Sequence, residues 1–210
     1  PYAEWLIAVF DRWYGSSRRE TRVRLFEEII HLLLGGTSHS ETVGLTPTSL
    51  VVIETDGSVE QTDTLKSTYH GAPVTGLHVA RDPFDAALQL PSIAARQLGL
   101  GALADECAAC SIRRVCGGGL YPHRYRPGSG FRNPSVYCPD LFRLINHIRT
   151  RVRTALGSQV GAALCPDTNT CRTTSSLPSR PAAAATLPRG SLLAVRVARP
   201  TTVPAGGCRV

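Results

Sequence analysis

Four cysteines near the middle of the chain have the spacing Cys107-x2-Cys110-x5-Cys116-x21-Cys138, which restricts the fold more than any other feature of the sequence. Two cysteines three positions apart can hold one metal centre from a tight turn, and Cys116 can reach the same centre from the loop that follows. Cys138 can close the site from a distant segment. Because four thiolates satisfy either a [4Fe-4S] cluster or a tetrahedral zinc ion, the spacing predicts one metal site.

Three features of this segment favour iron–sulfur over zinc. Structural zinc sites usually combine two short-spaced cysteine pairs, whereas this sequence has a single CxxC. The Gly117–Gly119 run after Cys116 lets the backbone approach a bulky cluster and direct N–H groups at its sulfurs. Arg113 and Arg114 lie between ligands and could offset a cluster's negative charge. A zinc site and a set of four unrelated thiols remain open as alternatives at this point.

The distribution of charge and apolar residues excludes two classes of partner. The net charge is +7, but residues 157–210 hold six Arg and one Asp, so +5 of it is scattered there rather than clustered. This distribution predicts no nucleic-acid surface. No apolar run approaches the ~20 residues that span a bilayer, which predicts a cytoplasmic protein without a membrane segment. In a reducing compartment, seven cysteines favour metal or redox chemistry over disulfides.

Two amphipathic helices are predicted near the start of the chain, over residues 2–14 and 21–34. The first has its apolar residues at Trp5, Leu6, Val9, Phe10 and Trp13. The second has them at Leu25, Phe26, Ile29, Ile30 and Leu33. Both stripes are interpreted as faces that pack in the core.

Strands and short helices are predicted in the next part of the chain. Residues 49–55 and 58–64 alternate as strands on either side of Asp56-Gly57, which is a strong turn signal, so they predict a β-hairpin. Short helices are expected over 83–90 and 92–98, separated by Pro91.

The cysteine-rich segment 105–138 is predicted to be loop-like, and a helix is expected to begin at Pro139. Residues 157–210 contain no Phe, Trp or Tyr and cannot bury enough apolar surface to offset their ordering entropy, so we expect disorder there. Cys165, Cys171 and Cys208 match no metal-site spacing. The predicted fold class is α+β, with lead-in helices, a β-hairpin, a cysteine-rich iron–sulfur loop sealed by a C-terminal helix, and a disordered tail.

The segments CAACSIRRVCGGGLYPHRY and NPSVYCPDLF resemble the SPASM domain of radical SAM enzymes, whose pattern is CxxC-x5-C-x3-C followed by a further cysteine. The preceding SLVVIETDGSVEQTDTLK resembles the hairpin of that domain. The resemblance is nearest to FxsB-like maturases, which form cyclophane crosslinks in ribosomally made peptides. It extends over residues 1–156 and is most specific at 49–66 and 105–143.

The resemblance implies three regions. Residues 1–44 would be the end of the radical SAM partial barrel and its bridge, residues 45–156 a SPASM-like auxiliary-cluster domain, and residues 157–210 a low-complexity tail. Where the family pattern has its fourth cysteine, this chain has Leu120, and the hairpin has Thr62 and Asp63 instead of a cysteine. The ligands of one of the family's two auxiliary clusters are therefore all missing.

The ligands of the other auxiliary cluster are all present, so the resemblance implies one [4Fe-4S] cluster on Cys107, Cys110, Cys116 and Cys138. No CxxxCxxC motif occurs in the chain. We therefore expect a C-terminal fragment that has no catalytic residue of its own and does not cleave S-adenosylmethionine alone. In an intact relative, S-adenosylmethionine would be a cofactor, a precursor peptide the substrate, and radical-based crosslinking the reaction. The auxiliary cluster would relay electrons or shape the substrate pocket.

Two other hypotheses come from different functional classes. One is a zinc-stapled binding module without a redox role, and the other is a non-functional remnant of a truncated gene. His123 and Tyr125 follow the cluster loop and could approach a cluster or a peptide, but a packed turn is the preferred interpretation.

Overall fold

The computed structural model describes residues 2–18, 20–48, 50–157 and the backbone of 194–197. These residues form two compact units. The first contains the described residues up to Pro47 and those from Arg96 to 157, and the second contains Thr48–Ala95 together with 194–197. The sequence predicted a boundary between residues 44 and 45, where the end of a partial barrel would meet the auxiliary-cluster domain. That boundary stays a prediction.

Helices and strands are both present, which confirms the α+β class. The described residues contain the helices α1 (Tyr2–Gly15), α2 (Arg24–Leu33), α3 (Asp85–Leu88), α4 (Pro91–Ala95), α5 (Asp105–Ala109), α6 (Arg113–Cys116) and α7 (Cys138–Leu156). They also contain the strands β1 (Leu50–Ile53), β2 (Ser58–Glu60), β3 (Val74–His78) and β4 (Ala194–Val197). None of the helices in the described ranges is long and apolar enough to cross a membrane.

The core of the first unit lies between α1, α2, α6 and α7. Its largest fully buried side chains include Phe10, Phe26, Ile145 and Ile148, and each contributes about 1.5–3 kcal/mol by leaving water. The predicted stripe of α1 is only partly correct, because Trp5 is 61% exposed. Helix α1 buries Ala3, Leu6 and Phe10, a narrower face than the sequence pattern indicated.

The second unit is built on the predicted hairpin. Strands β1 and β2 are antiparallel, and Gly57 has φ +88° in the turn between them, which a residue with a Cβ rarely adopts. The second strand is shorter than predicted, because it ends at Glu60 and a 3-10 turn begins at Asp63. Strand β3, which was not predicted, pairs antiparallel with β2. Val51 and Val59 are buried against Ala87 and Ile93 of α3 and α4.

The predicted disorder over 157–210 lies outside the described residues, apart from 157 and one short strand. Strand β4 pairs parallel with β1 at the edge of the sheet, which has the order β3-β2-β1-β4. Residues 194–197 therefore form a strand where disorder was predicted. The unpaired N–H and C=O groups of an edge strand are a template for such pairing.

Candidate metal centre

The structure brings the four predicted cysteines around one small cavity in the first unit. Cys107 lies on α5 and Cys110 follows it, whereas Cys116 ends α6 and Cys138 begins α7. All four are half-buried and have free thiols. The cavity holds about 70 Å³, which is room for more than one water-sized group.

Apolar side chains and a glycine complete the wall of this cavity. Ile112, Pro134 and Phe142 line it beside the thiols, and Gly118 lies at its edge. The Gly118 N–H donates a hydrogen bond to the Cys116 sulfur. Backbone donors aimed at sulfur and an apolar surrounding are features that tune iron–sulfur centres.

Glycine is required at position 117 because two backbone segments meet there. Gly117 ends α6 in the left-handed conformation with φ +60°, and a Cβ at this position would lie 1.6 Å from the Gly44 carbonyl oxygen. The Gly44 N–H donates to the Val115 carbonyl at 2.9 Å, so the neighbouring segment is held in place. The turn thereby fixes the position of Cys116, the last residue of α6.

The glycine run is also held by Arg124, which the sequence interpretation missed. One guanidinium nitrogen, Nη2, donates to the carbonyl oxygens of Gly117 at 2.6 Å and of Gly119 at 2.7 Å. The guanidinium also lies 5.6 Å from the centre of the Tyr121 ring. No spacing rule marks an arginine at this distance from the cysteines, since its partners are main-chain carbonyls.

The two arginines that the sequence singled out lie in different environments. Arg113 is half-buried, lines the cavity, and donates from Nη1 to the Cys110 carbonyl at 3.3 Å. Arg114 is exposed and borders a separate groove with Leu45 and Pro47. Only Arg113 of this pair is therefore placed near the thiols.

Burial changes the acid–base properties of the site. Burial raises the pKa of the Cys107 and Cys138 thiols, and it raises the pKa of Cys116 to about 11 although the Gly118 amide opposes the shift. Burial lowers the pKa of the Arg124 guanidinium, while Cys116 and Cys107 act in the opposite direction. A metal centre that binds thiolates must therefore displace protons from this site.

The sulfur atoms of the four cysteines line one cavity without forming a compact group in the metal-free chain. Among the described residues, the group of metal-ligating side chains whose ligand atoms all lie within 4.8 Å of one another is Glu54, Glu60 and Asp63. No three sulfurs of the four described cysteines are therefore that close together. Tetrahedral zinc, with Zn–S about 2.3 Å, would hold its sulfurs about 3.8 Å apart.

The three carboxylates on the second unit surround a cation that the protein itself supplies. The Lys66 ammonium lies 3.0 Å from Glu54, 3.5 Å from Glu60 and 3.1 Å from Asp63. These contacts raise the pKa of Lys66, chiefly through hydrogen bonds to Glu54 and Asp63. Asp63 is therefore part of an exposed ion-pair network on the hairpin unit.

The segment after the glycine run is a packed turn, as preferred from the sequence. The His123 ring meets the Tyr137 ring edge-on at 4.9 Å between centroids, and burial lowers the pKa of His123. Tyr125 packs on Phe131 at 5.2 Å. Cys165, Cys171 and Cys208 lie outside the described residues.

Four thiols line one cavity in the first unit, and solved structures with a similar fold exist. No family model and no curated protein matches the chain. Native anSMEcpe with bound AdoMet superposes with a TM-score of 0.59 at 23% identity, covering 73% of this chain and 41% of that chain. The same protein with AdoMet and the Cp18Cys peptide has a TM-score of 0.59 at 23% identity, covering 73% of this chain and 42% of that chain. A histidine-tagged form with AdoMet has a TM-score of 0.58 at 23% identity, covering 78% of this chain and 43% of that chain.

The structural neighbour anSMEcpe is a radical SAM anaerobic sulfatase maturase with a SPASM domain. This chain spans about two fifths of its length. At this identity the likeness shows the fold alone, and it gives no information on the FxsB-like subfamily.

Proposed function

We propose that this chain carries one auxiliary [4Fe-4S] cluster on Cys107, Cys110, Cys116 and Cys138, as part of a radical SAM/SPASM enzyme that modifies a peptide. The observation that carries the proposal is the arrangement of four free thiols, at the spacing CxxC-x5-C-x21-C, around one cavity. The shared fold with a radical SAM maturase supports the same conclusion.

A cluster held by four thiolates can supply or accept single electrons, and it can tie together the segments that ligate it. Here those segments are α5, the turn after it, α6 and the start of α7. All four irons would be ligated by the protein, so this centre leaves no iron site for S-adenosylmethionine. Cleavage of S-adenosylmethionine would require a CxxxCxxC motif, which is not present in this sequence.

The substrate we propose is a ribosomally made precursor peptide, and the reaction is crosslinking by a radical mechanism. One of the neighbour structures contains a bound peptide, which supports a peptide substrate. Crosslinking rests on the FxsB-like resemblance of residues 49–66 and 105–143. Four free thiols suit the reducing cytoplasm, where we place the protein.

The test is anaerobic reconstitution of the full chain with iron and sulfide in the presence of equimolar zinc, followed by absorption spectroscopy. We expect a brown protein with a broad band near ~400 nm. A colourless protein with bound zinc and no sulfide would instead indicate a zinc-stapled module. A chain that retains neither metal would indicate a remnant without function.

A further inference from the structure

Arg124 is a partly buried cation whose partners are unusual. Its guanidinium donates to two main-chain carbonyls, those of Gly117 and Gly119, and faces the ring of Tyr121. The acidic groups that act on it electrostatically include the thiols of Cys116 and Cys107 and the Tyr121 hydroxyl. Among the residues that the structure describes, Arg124 forms no ion pair with a carboxylate.

A second arginine near the same ring is in a different environment. Arg96 lies 5.0 Å from the centre of the Tyr121 ring, but its guanidinium forms an ion pair with Glu41 at 2.8 Å. Two arginines therefore stack around one tyrosine, and one of them has a carboxylate partner within the fold. The other, Arg124, is bound to the glycine run that follows Cys116 and lies within electrostatic range of the Cys116 and Cys107 thiols.

A cation withdrawn from water without an anionic partner is unfavourable. The neutral thiols of the metal-free protein do not compensate Arg124. Four thiolates around a [4Fe-4S] cluster would, because that assembly has a net negative charge that increases by one on reduction. The position of Arg124 is thus accounted for by a negative centre at the cysteines.

The hydrogen bonds of Arg124 also shape the loop beside a ligand. By binding the carbonyl of Gly117, the guanidinium holds the peptide group that contains the Gly118 N–H, and by binding the carbonyl of Gly119 it holds the end of the glycine run. The Gly118 N–H donates to the Cys116 sulfur. One side chain therefore contributes a charge and orients the backbone donor of the same site.

We propose that Arg124 is a positioning residue of the metal centre, which compensates the charge of the cluster and thereby raises its reduction potential. This inference rests on the proposed [4Fe-4S] cluster. A positive charge near the cluster favours the more negative, reduced state, so removal of that charge lowers the potential. Arg113 also lies at the cavity, but its guanidinium contacts the Cys110 carbonyl and not the glycine run.

The test uses the full chain, reconstituted anaerobically, with three substitutions. Arg124→Gln removes the charge, and Arg124→Lys keeps the charge but loses the fork that binds two carbonyls. Arg114→Gln is the matched control, because it removes the same charge from an exposed position two residues before Cys116. The midpoint potential and the rate of iron loss to a chelator are measured for each protein.

For Arg124→Gln we expect the equilibrium constant for one-electron reduction to fall at least tenfold, which is a shift of about 59 mV to more negative potential. Arg124→Lys should have a potential near that of the wild type but lose iron several-fold faster, because Gly118 is less well held. Arg114→Gln should match the wild type in both measurements.

Equal potentials for Arg124→Gln and the wild type would overturn the inference, as would an equal shift in Arg114→Gln. If Arg124→Gln does not bind a cluster, the Arg124→Lys variant tests the inference instead. An Arg124→Lys protein whose cluster has the wild-type potential supports the role of the charge, and an Arg124→Lys protein that binds no cluster contradicts that role. A wild-type chain that binds no iron and sulfide would refute the proposed cluster itself. This outcome is distinct from the outcomes that refute only the role of Arg124.

Discussion

Replacement of Gly117 by alanine should destabilise the protein far more than a usual glycine-to-alanine change. The added Cβ would lie 1.6 Å from the Gly44 carbonyl oxygen, and φ at this residue is +60°. The left-handed conformation alone costs about 1 kcal/mol for alanine. The contact is with backbone, so relief requires movement of α6 or of the segment around Gly44.

That segment has little freedom to move. Gly44 has φ +89°, and a Cβ there would lie 2.5 Å from the Ser38 side chain. Ser38 is itself buried, and its hydroxyl donates to the Val43 carbonyl at 2.7 Å. Overpacking of this kind costs about 1–3 kcal/mol, so the expected total for Gly117→Ala is roughly 2–4 kcal/mol.

Gly128→Ala is the control that isolates the close contact. Gly128 also has a left-handed conformation, with φ +83°, but nothing lies within 4 Å of a Cβ placed there. Urea unfolding of the metal-free chain should show a loss of about 1 kcal/mol for Gly128→Ala and the larger loss for Gly117→Ala. The Gly117 variant should also load less iron, because Cys116 is displaced. Equal losses for both variants would refute the close-contact argument.

Three further predictions follow from the packing and the thiols. Cys138→Ala should abolish iron binding and unfold the segment around α7, because metal binding and folding are coupled. Cys165→Ala should bind as much iron as the wild type, and iron analysis of both variants measures this difference. Burial raises the pKa of the Cys116 thiol from an ordinary value of 9.0 to about 11. The metal-free fold should therefore have its full stability below pH 9, and its free energy of unfolding should fall by about 3 kcal/mol as the pH rises through 11. Urea titrations at each pH should show a flatter profile for Cys116→Ala. Phe10→Ala should lower the free energy of unfolding by about 3–5 kcal/mol, and Trp5→Ala should lower it by less than about 0.5 kcal/mol. Thermal unfolding of both variants measures these losses.

Each of these predictions has a contrary outcome. Loss of iron in Cys165→Ala would show that the ligand set is wrong. An unchanged stability between pH 9 and pH 11 would show that Cys116 is not buried as described. A larger effect of Trp5→Ala than of Phe10→Ala would place the core of α1 on the other face.

The parts of the fold that repeat a simple period were predictable from the sequence. Helices α1, α2 and α7 have apolar residues at helical spacing, and Asp56-Gly57 indicated the hairpin turn. Strand β3 was missed because a short strand at a sheet edge has little apolar alternation. The exposure of Trp5 was missed because the width of a buried helix face depends on its packing partners.

The candidate site was predictable to the extent that it consists of cysteines. Ligand spacing along the chain is a local property, and this spacing alone indicated Cys107, Cys110, Cys116 and Cys138. Arg124 was not predictable, because its partners are carbonyl oxygens that every residue has. The common cavity of the four cysteines is likewise formed only when α5, α6 and α7 pack together.

The most direct test of the account is a count of iron and acid-labile sulfide in the anaerobically reconstituted full chain. The account predicts about four of each per chain, and neither in a variant with all four site cysteines replaced by alanine. One bound zinc without sulfide, or a loaded centre that survives loss of Cys107, Cys110, Cys116 and Cys138, would contradict it.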